Sequence, residues 1–243
     1  AGSLRQAITV ANATAGSDTI TFNLSGTITL GSTLPNITDA AGLTINGAGQ
    51  TVTISGGTYL FAVQALIVDS SASLTLNNVT IANGRSGDGG GILNFGALTV
   101  TNCVFTGNTA SGSGGGIYSY GTLTITNSTF SGMSADLGGG IYNVGTLIMT
   151  NSAFSGNSAT WGGGIYNDGA GTLIMTNSTF SSNSATWGGG IYNNGTGTAT
   201  ITNSTFSGNS ATWGGGIYTG TGTVILLNTI VANSGMGANC EGT

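Results

Sequence analysis

Apolar and polar residues alternate along this chain in short stretches, each closed by asparagine, serine or glycine. In Leu123-Thr124-Ile125-Thr126-Asn127, strand geometry sends Leu123 and Ile125 to one side and the threonines to the other. The pattern recurs. Gly-Gly-Gly-Ile ends at Ile92, Ile117, Ile141, Ile165, Ile191 and Ile217, at intervals of 24 to 26 residues. An asparagine closing a strand recurs in the same frame at Asn78, Asn102, Asn127, Asn151, Asn177, Asn203 and Asn228. Phe-x-x-Asn appears at Phe105/Asn108, Phe154/Asn157, Phe180/Asn183 and Phe206/Asn209, while Phe130 has Met133 in the asparagine position.

Each unit holds three strand-like pieces, such as Gly140–Asn143, Thr146–Thr150 and Ala153–Ser155, with no helical period between them. Three short strands cannot bury a face alone, but copies stacked in register can. The spacing therefore predicts an all-β, right-handed single-stranded parallel β-helix with rungs of 24–26 residues. About nine rungs at ~4.8 Å each give a rod roughly 43 Å long. Inward isoleucines and phenylalanines form columns, and the seven asparagines at the corner form an amide ladder along the inside of the stack.

The first residues break the pattern. Ser3 can cap a short helix from Leu4 to about Ala13, with Leu4, Ala7, Ile8 and Ala11 as its apolar stripe. A strand Asp18–Asn23 and irregular rungs at Thr27–Leu30, Gly42–Asn46 and Thr51–Ser55 follow. Residues 1–60 are thus expected as an N-terminal cap with irregular first rungs, and 61–243 as regular rungs of the same continuous domain. No matching cap is visible after the last rung.

Composition narrows the function. The 243 residues include 46 glycines, one proline, two arginines, seven acids and no lysine or histidine, for a net charge of −5. Without a basic patch, nucleic-acid binding is not expected, and no apolar run is long enough for a membrane-spanning helix. A surface made soluble by Ser, Thr and Asn, with no initiating methionine or leader, suits a processed, secreted or cell-surface chain.

Two resemblances carry the reading further. Gly-Gly-Gly-Ile with Phe-x-x-Asn resembles the repeats of the chlamydial polymorphic outer membrane proteins. Ser3-Leu4-Arg5-Gln6-Ala7-Ile8, with Ala11-Asn12, Gly16-Ser17-Asp18-Thr19-Ile20 and Phe22, resembles the CSLREA domain that opens bacterial secreted β-helix proteins. Gly2 stands where that motif has its cysteine, and Gln6 where it has glutamate. These resemblances imply a bacterial surface or secreted β-helix, with adhesin-like function.

Chemistry is sparse. The acids are Asp18, Asp39, Asp69, Asp88, Asp136, Asp168 and Glu241; in the repeat frame Asp88, Asp136 and Asp168 lie in different rungs and at different positions of the unit, and without His or Lys a general base or cation would have to be Arg5 or Arg85. No catalytic residue, cofactor or metal site is expected. Cys103 and Cys240 lie about five rungs apart, beyond disulfide reach, and read as free thiols or intermolecular partners. Tyr118, Tyr142, Tyr166, Tyr192 and Tyr218 follow the inward isoleucines and should face outward, alongside Trp161, Trp187 and Trp213. Such a stripe either binds sugars or another surface, or stacks on itself. The threonine pairs Thr99/Thr101, Thr124/Thr126 and Thr200/Thr202 form an outward array interrupted by Ile148, Ile174 and Ile225.

The favoured function is a non-enzymatic extracellular structural or adhesin-like protein that assembles head to tail into a fibre through its open last rung. A carbohydrate-binding or polysaccharide-degrading β-helix is the alternative.

Overall fold

In the computed structural model, which describes residues 2–57 and 62–242, three parallel sheets wind around one apolar interior. Sheet 1 has nine strands, from Asp18–Thr21 to Thr223–Leu227. Sheet 2 also has nine, from Gly26–Thr29 to Ile230–Ala232. Sheet 3 has eight, from Leu66–Val68 to Cys240–Gly242. The expected unit is present as Ile141–Asn143, Thr146–Thr150 and Ala153–Ser155, one strand in each sheet.

Register follows the side-chain alternation. Leu98, Leu123, Leu147 and Leu173 pair in one column, and Val100, Ile125, Met149 and Met175 in the next; all are buried. In sheet 2 the rings of Phe105, Phe130, Phe154, Phe180 and Phe206 stack with centroids 4.6 to 4.8 Å apart. Slipping one strand by a residue would turn its inward set to solvent, so the apolar columns fix the register.

The glycine tracts make the third wall thin. A Cβ on Gly140 would lie 2.5 Å from Gly164 O and 2.9 Å from the Phe154 ring. Gly138, at φ 64°, turns the chain in the left-handed region. The tract thus lets the backbone of sheet 3 close over the phenylalanine column.

The first 57 residues are more regular than their sequence predicts. The strands Asp18–Thr21 and Leu43–Asn46 join sheet 1, and Gly26–Thr29 and Val52–Ser55 join sheet 2, in the register of the later rungs. The expected strand to Asn23 stops at Thr21. The expected boundary between residues 60 and 61 lies outside the described residues.

The helix spans Leu4–Ala11, two residues shorter than expected. Ser3 Oγ accepts from Gln6 N at 3.2 Å, and Leu4, Ile8 and Ala11 are buried. It stops where Asn12 turns its side chain to the next segment, donating to Asn36 O and accepting from Thr38 N. Arg5 donates to Ser32 O, Ser32 Oγ and Thr33 O. These bonds hold the helix alongside residues 32–38, whose Ile37 bridges to Val68 at the start of sheet 3. The helix therefore fills the third side of the first rung.

Candidate functional site

The corner asparagines Asn78, Asn102, Asn127, Asn151, Asn177, Asn203 and Asn228 all adopt left-handed backbone, at φ 49° to 56°. Asparagine tolerates this conformation better than other residues with a Cβ. Asn78 is half-buried and the other six are exposed, which corrects the expected inner position: a corner residue with positive φ turns its side chain out of the stack. Two of the amides bond neighbours, Asn151 to Asn127 at 3.2 Å and Asn228 to Asn203 at 2.7 Å.

The inner ladders belong to other residues. Asn157 Nδ2 donates to Asn183 Oδ1 and Asn183 Nδ2 to Asn209 Oδ1, both at 2.9 Å; all three are from Phe-x-x-Asn. A second ladder runs from Asn143 to Asn167 to Asn193, each step 2.7 Å, at the end of the Ile-Tyr-Asn strands. These asparagines are buried. The signal was in the sequence, since Asn143 lies two residues after the inward Ile141 and so shares its side. A third, hydroxyl column links rungs through Ser128, Ser152, Ser178 and Ser204, each Oγ accepting a backbone N–H from the rung before.

Cys103 occupies the first place of that serine column, buried, with its thiol donating to Leu76 O and Thr101 O. Burial pushes its pKa up, against opposing backbone hydrogen bonds. Cys240 is exposed on the last strand of sheet 3; its pKa is also raised by desolvation. Both thiols are free.

Of the two arrangements expected for the tyrosine column, the rings adopt the self-stacked one. Tyr118, Tyr142 and Tyr166 are buried, and Tyr192 and Tyr218 half-buried. They face away from the main core, but Leu93, Leu137 and Val144 pack over them as a second apolar cluster. The rings touch successive neighbours, edge-on at Tyr118–Tyr142 and flat at Tyr166–Tyr192. Trp187 and Trp213 stack at 5.3 Å, leaving Trp213 43 % and Trp161 38 % exposed.

Asp168 anchors this column. Its Oδ2 accepts from Tyr142 Oη at 2.6 Å and its Oδ1 from Asn194 Nδ2 at 3.0 Å, while Asn194 Nδ2 also donates to Tyr166 Oη at 2.9 Å. Burial alone would raise the carboxyl's pKa, yet bonds from Tyr142, Gly169 N–H, Asn194 and Tyr166 hold it below its ordinary value. The tyrosine hydroxyls are pushed up, first by desolvation and then by the nearby Asp168 charge. The arrangement favours a charged carboxylate beside neutral phenols.

Other carboxylates accept bonds within their own turn or from a neighbouring rung. Asp39 accepts from Ala41 N, Asp69 from Asn36 Nδ2, Asp88 from Ser113 N and Glu241 from Gly214 N. Among the described residues, no three of His, Cys, Asp and Glu are grouped as metal ligands, and no helix is long and apolar enough to cross a membrane. On the outer face of sheet 1, Thr101, Thr126, Thr150, Thr176 and Thr202 form one in-register column, beside the exposed Ile148, Ile174 and Ile225.

Comparison with curated proteins and with solved structures finds no significant match. Residues 203–220 match the repeat of the Chlamydia polymorphic membrane protein, the unit carrying Phe206, Asn209 and the tract ending at Ile217. Residues 41–198 match the right-handed β-helix region, well over half of the chain and the same rungs whose register is described above, so the chain belongs to the right-handed β-helix family.

Proposed function

We propose that the chain is a non-enzymatic, secreted or surface-displayed rod of a bacterial cell, adhesin-like, that associates end to end with its own copies. One observation carries the reading: Asp168 and the buried asparagines are engaged in bonds between rungs, while the last rung leaves an inward apolar side chain uncovered. Asp168 has both carboxylate oxygens engaged, and the buried asparagines bond rung to rung. By contrast, Leu226 of the last rung, inward in register with the buried Ile201, is 39 % exposed. The polymorphic membrane protein repeat at residues 203–220 and the CSLREA-like segment from Ser3 to Ile8 support a surface setting.

Sedimentation velocity over a hundredfold range of concentration tests the association, and cell attachment to coated surfaces tests the adhesion. A sedimentation coefficient that rises with concentration, with attachment above an albumin control, is expected. A constant monomer value and no attachment would refute the reading, as would depolymerisation of a soluble polysaccharide by the pure protein. Glycan contact is the second reading, favoured by the exposure of Trp161 and Trp213. It requires glycan-array binding that Trp213→Ala removes.

A further inference from the structure

The outer face of sheet 1 repeats in two directions. In Thr122–Thr126, Thr146–Thr150, Thr172–Thr176 and Thr198–Thr202 the first, third and fifth residues point outward, and each is threonine except Ile148 and Ile174. The strands pair residue for residue, so these positions form three parallel columns. The middle column continues in register to Thr19 at one end and Ile225 at the other, threonine or isoleucine throughout. Among the described residues, none of the three columns carries a charge.

Three properties make this face a lattice. It is flat: adjacent strands of an open sheet are usually rotated by about 20–25°, but the rings of Phe105, Phe130, Phe154 and Phe180, at equivalent positions of successive rungs, lie within 2–3° of parallel. Successive rungs are therefore related by almost pure translation, and the same ring pairs put the repeat at 4.6 to 4.7 Å. Along each strand, outward neighbours two residues apart are separated by about 6.6 Å. It is stiff, because threonine and isoleucine branch at Cβ, which restricts χ1 and holds hydroxyls and methyls in fixed rows. Its hydroxyls are also unspent. Ser128, Ser152, Ser178 and Ser204 each donate their hydroxyl to a backbone carbonyl, whereas the outward threonines of these four strands make no side-chain hydrogen bond among the described residues.

We propose that the outer face of sheet 1 binds the surface of ice, with the rod lying flat on the crystal. Hexagonal ice presents equivalent oxygen positions on its prism face at repeats close to both distances above. A threonine hydroxyl donates and accepts, so it can stand at such a position, and the methyl beside it orders the water that it cannot bond. One such contact gains little over liquid water, but an array already held in one geometry makes many together without an ordering cost. Ile148 and Ile174 keep a branch methyl at the place of the threonines in their column. Each is flanked on its own strand by outward threonines, so the two outer hydroxyl rows run unbroken across these rungs. The face lies along the side of the rod, so ice binding is independent of the end-to-end association proposed above.

Two measurements on the purified chain test this: partition of the protein between slowly grown ice and the remaining liquid, and the gap between melting and freezing temperatures of a single ice crystal in its solution. The native chain should enrich in the ice, where albumin is excluded, and should open a gap while the crystal grows facets. Thr124→Tyr with Thr200→Tyr raises two tall side chains in the middle column and should abolish both signals. Thr150→Lys, which sets a charge in an outer column, is the second variant and should do the same. Thr129→Tyr, exposed on the outer face of sheet 2, should leave both signals intact. Circular dichroism and the unfolding midpoint establish that each variant compared is folded. Exclusion of the native chain from ice, with no gap, would overturn the proposal. So would enrichment that folded sheet 1 variants retain, or that Thr129→Tyr removes equally. Binding to microcrystalline cellulose with exclusion from ice would assign the face to a solid glycan instead.

Discussion

Replacing Asn157 by alanine removes one amide from the interior and leaves its partners in place. In the folded chain Asn157 Nδ2 donates to Phe130 O at 3.0 Å and Asn183 Oδ1 at 2.9 Å, while its Oδ1 accepts from Met133 N at 3.1 Å. Asn183 Oδ1 keeps the backbone N–H of residue 157. Met133 N–H loses this acceptor and Phe130 O this donor. An orphaned buried donor costs about 1–3 kcal/mol and a lost bond about 0.5–1.5 kcal/mol, so the variant should lose about 2–4 kcal/mol. The chain supplies an internal comparison, because Met133 already interrupts the same ladder: Asn108 Nδ2 donates to Ile81 O at 2.9 Å, but its second contact is the Met133 sulfur at 3.9 Å. Met133→Asn restores an acceptor to Asn108 and should gain about 0.5–1.5 kcal/mol. Guanidinium unfolding followed by both far-UV circular dichroism and tryptophan fluorescence gives the two values, provided the transitions coincide. A loss below about 0.5 kcal/mol for Asn157→Ala, or a loss of the same size for Met133→Asn, would refute the ladder as a source of stability.

Four further outcomes are expected. At the corner, Asn127→Ala should cost about 1 kcal/mol through its left-handed backbone and Asn127→Gly much less, by the same unfolding measurement. Because hydrogen bonds lower the folded pKa of Asp168, its stabilisation is complete above the unfolded value near 3.9 and fades as pH falls through the folded value. Asp168→Asn should therefore flatten the acid limb of a stability–pH profile; an unchanged limb would contradict the hub role. The raised tyrosines act oppositely, stabilising fully below about pH 10 and losing that contribution as pH climbs beyond it, read as delayed tyrosinate absorbance in the native protein. A thiol reagent should label Cys240 in the native chain and Cys103 only after unfolding, which mass spectrometry of digests resolves.

The rung was legible because one strand's side-chain period and one repeat interval fixed each other. Leu123 and Ile125 could point only one way once Gly-Gly-Gly-Ile set the frame. Corners were less legible, since a period of two does not run through a residue with positive φ. That is why the amide ladder was placed on Asn127 and its column rather than on Asn143 and Asn157. The tyrosines' direction followed from alternation, but their burial depends on Leu93, Leu137 and Val144, which reach the column from neighbouring strands and turns. Asp168 joined Tyr142 from the next rung, 26 residues away, a contact set by the length of the Asn-Asp-Gly turn. The inward side of Asp18 is hidden in the sequence for a similar reason: it becomes evident only when Asp18–Thr21 is paired with Leu43–Asn46.

Electron microscopy of negatively stained protein across a concentration series tests the central claim most directly, that this rod works through its ends. Rods of constant width whose lengths grow in steps of roughly 43 Å, nine rungs at ~4.8 Å, are predicted. Single rods of that one length at every concentration would contradict it.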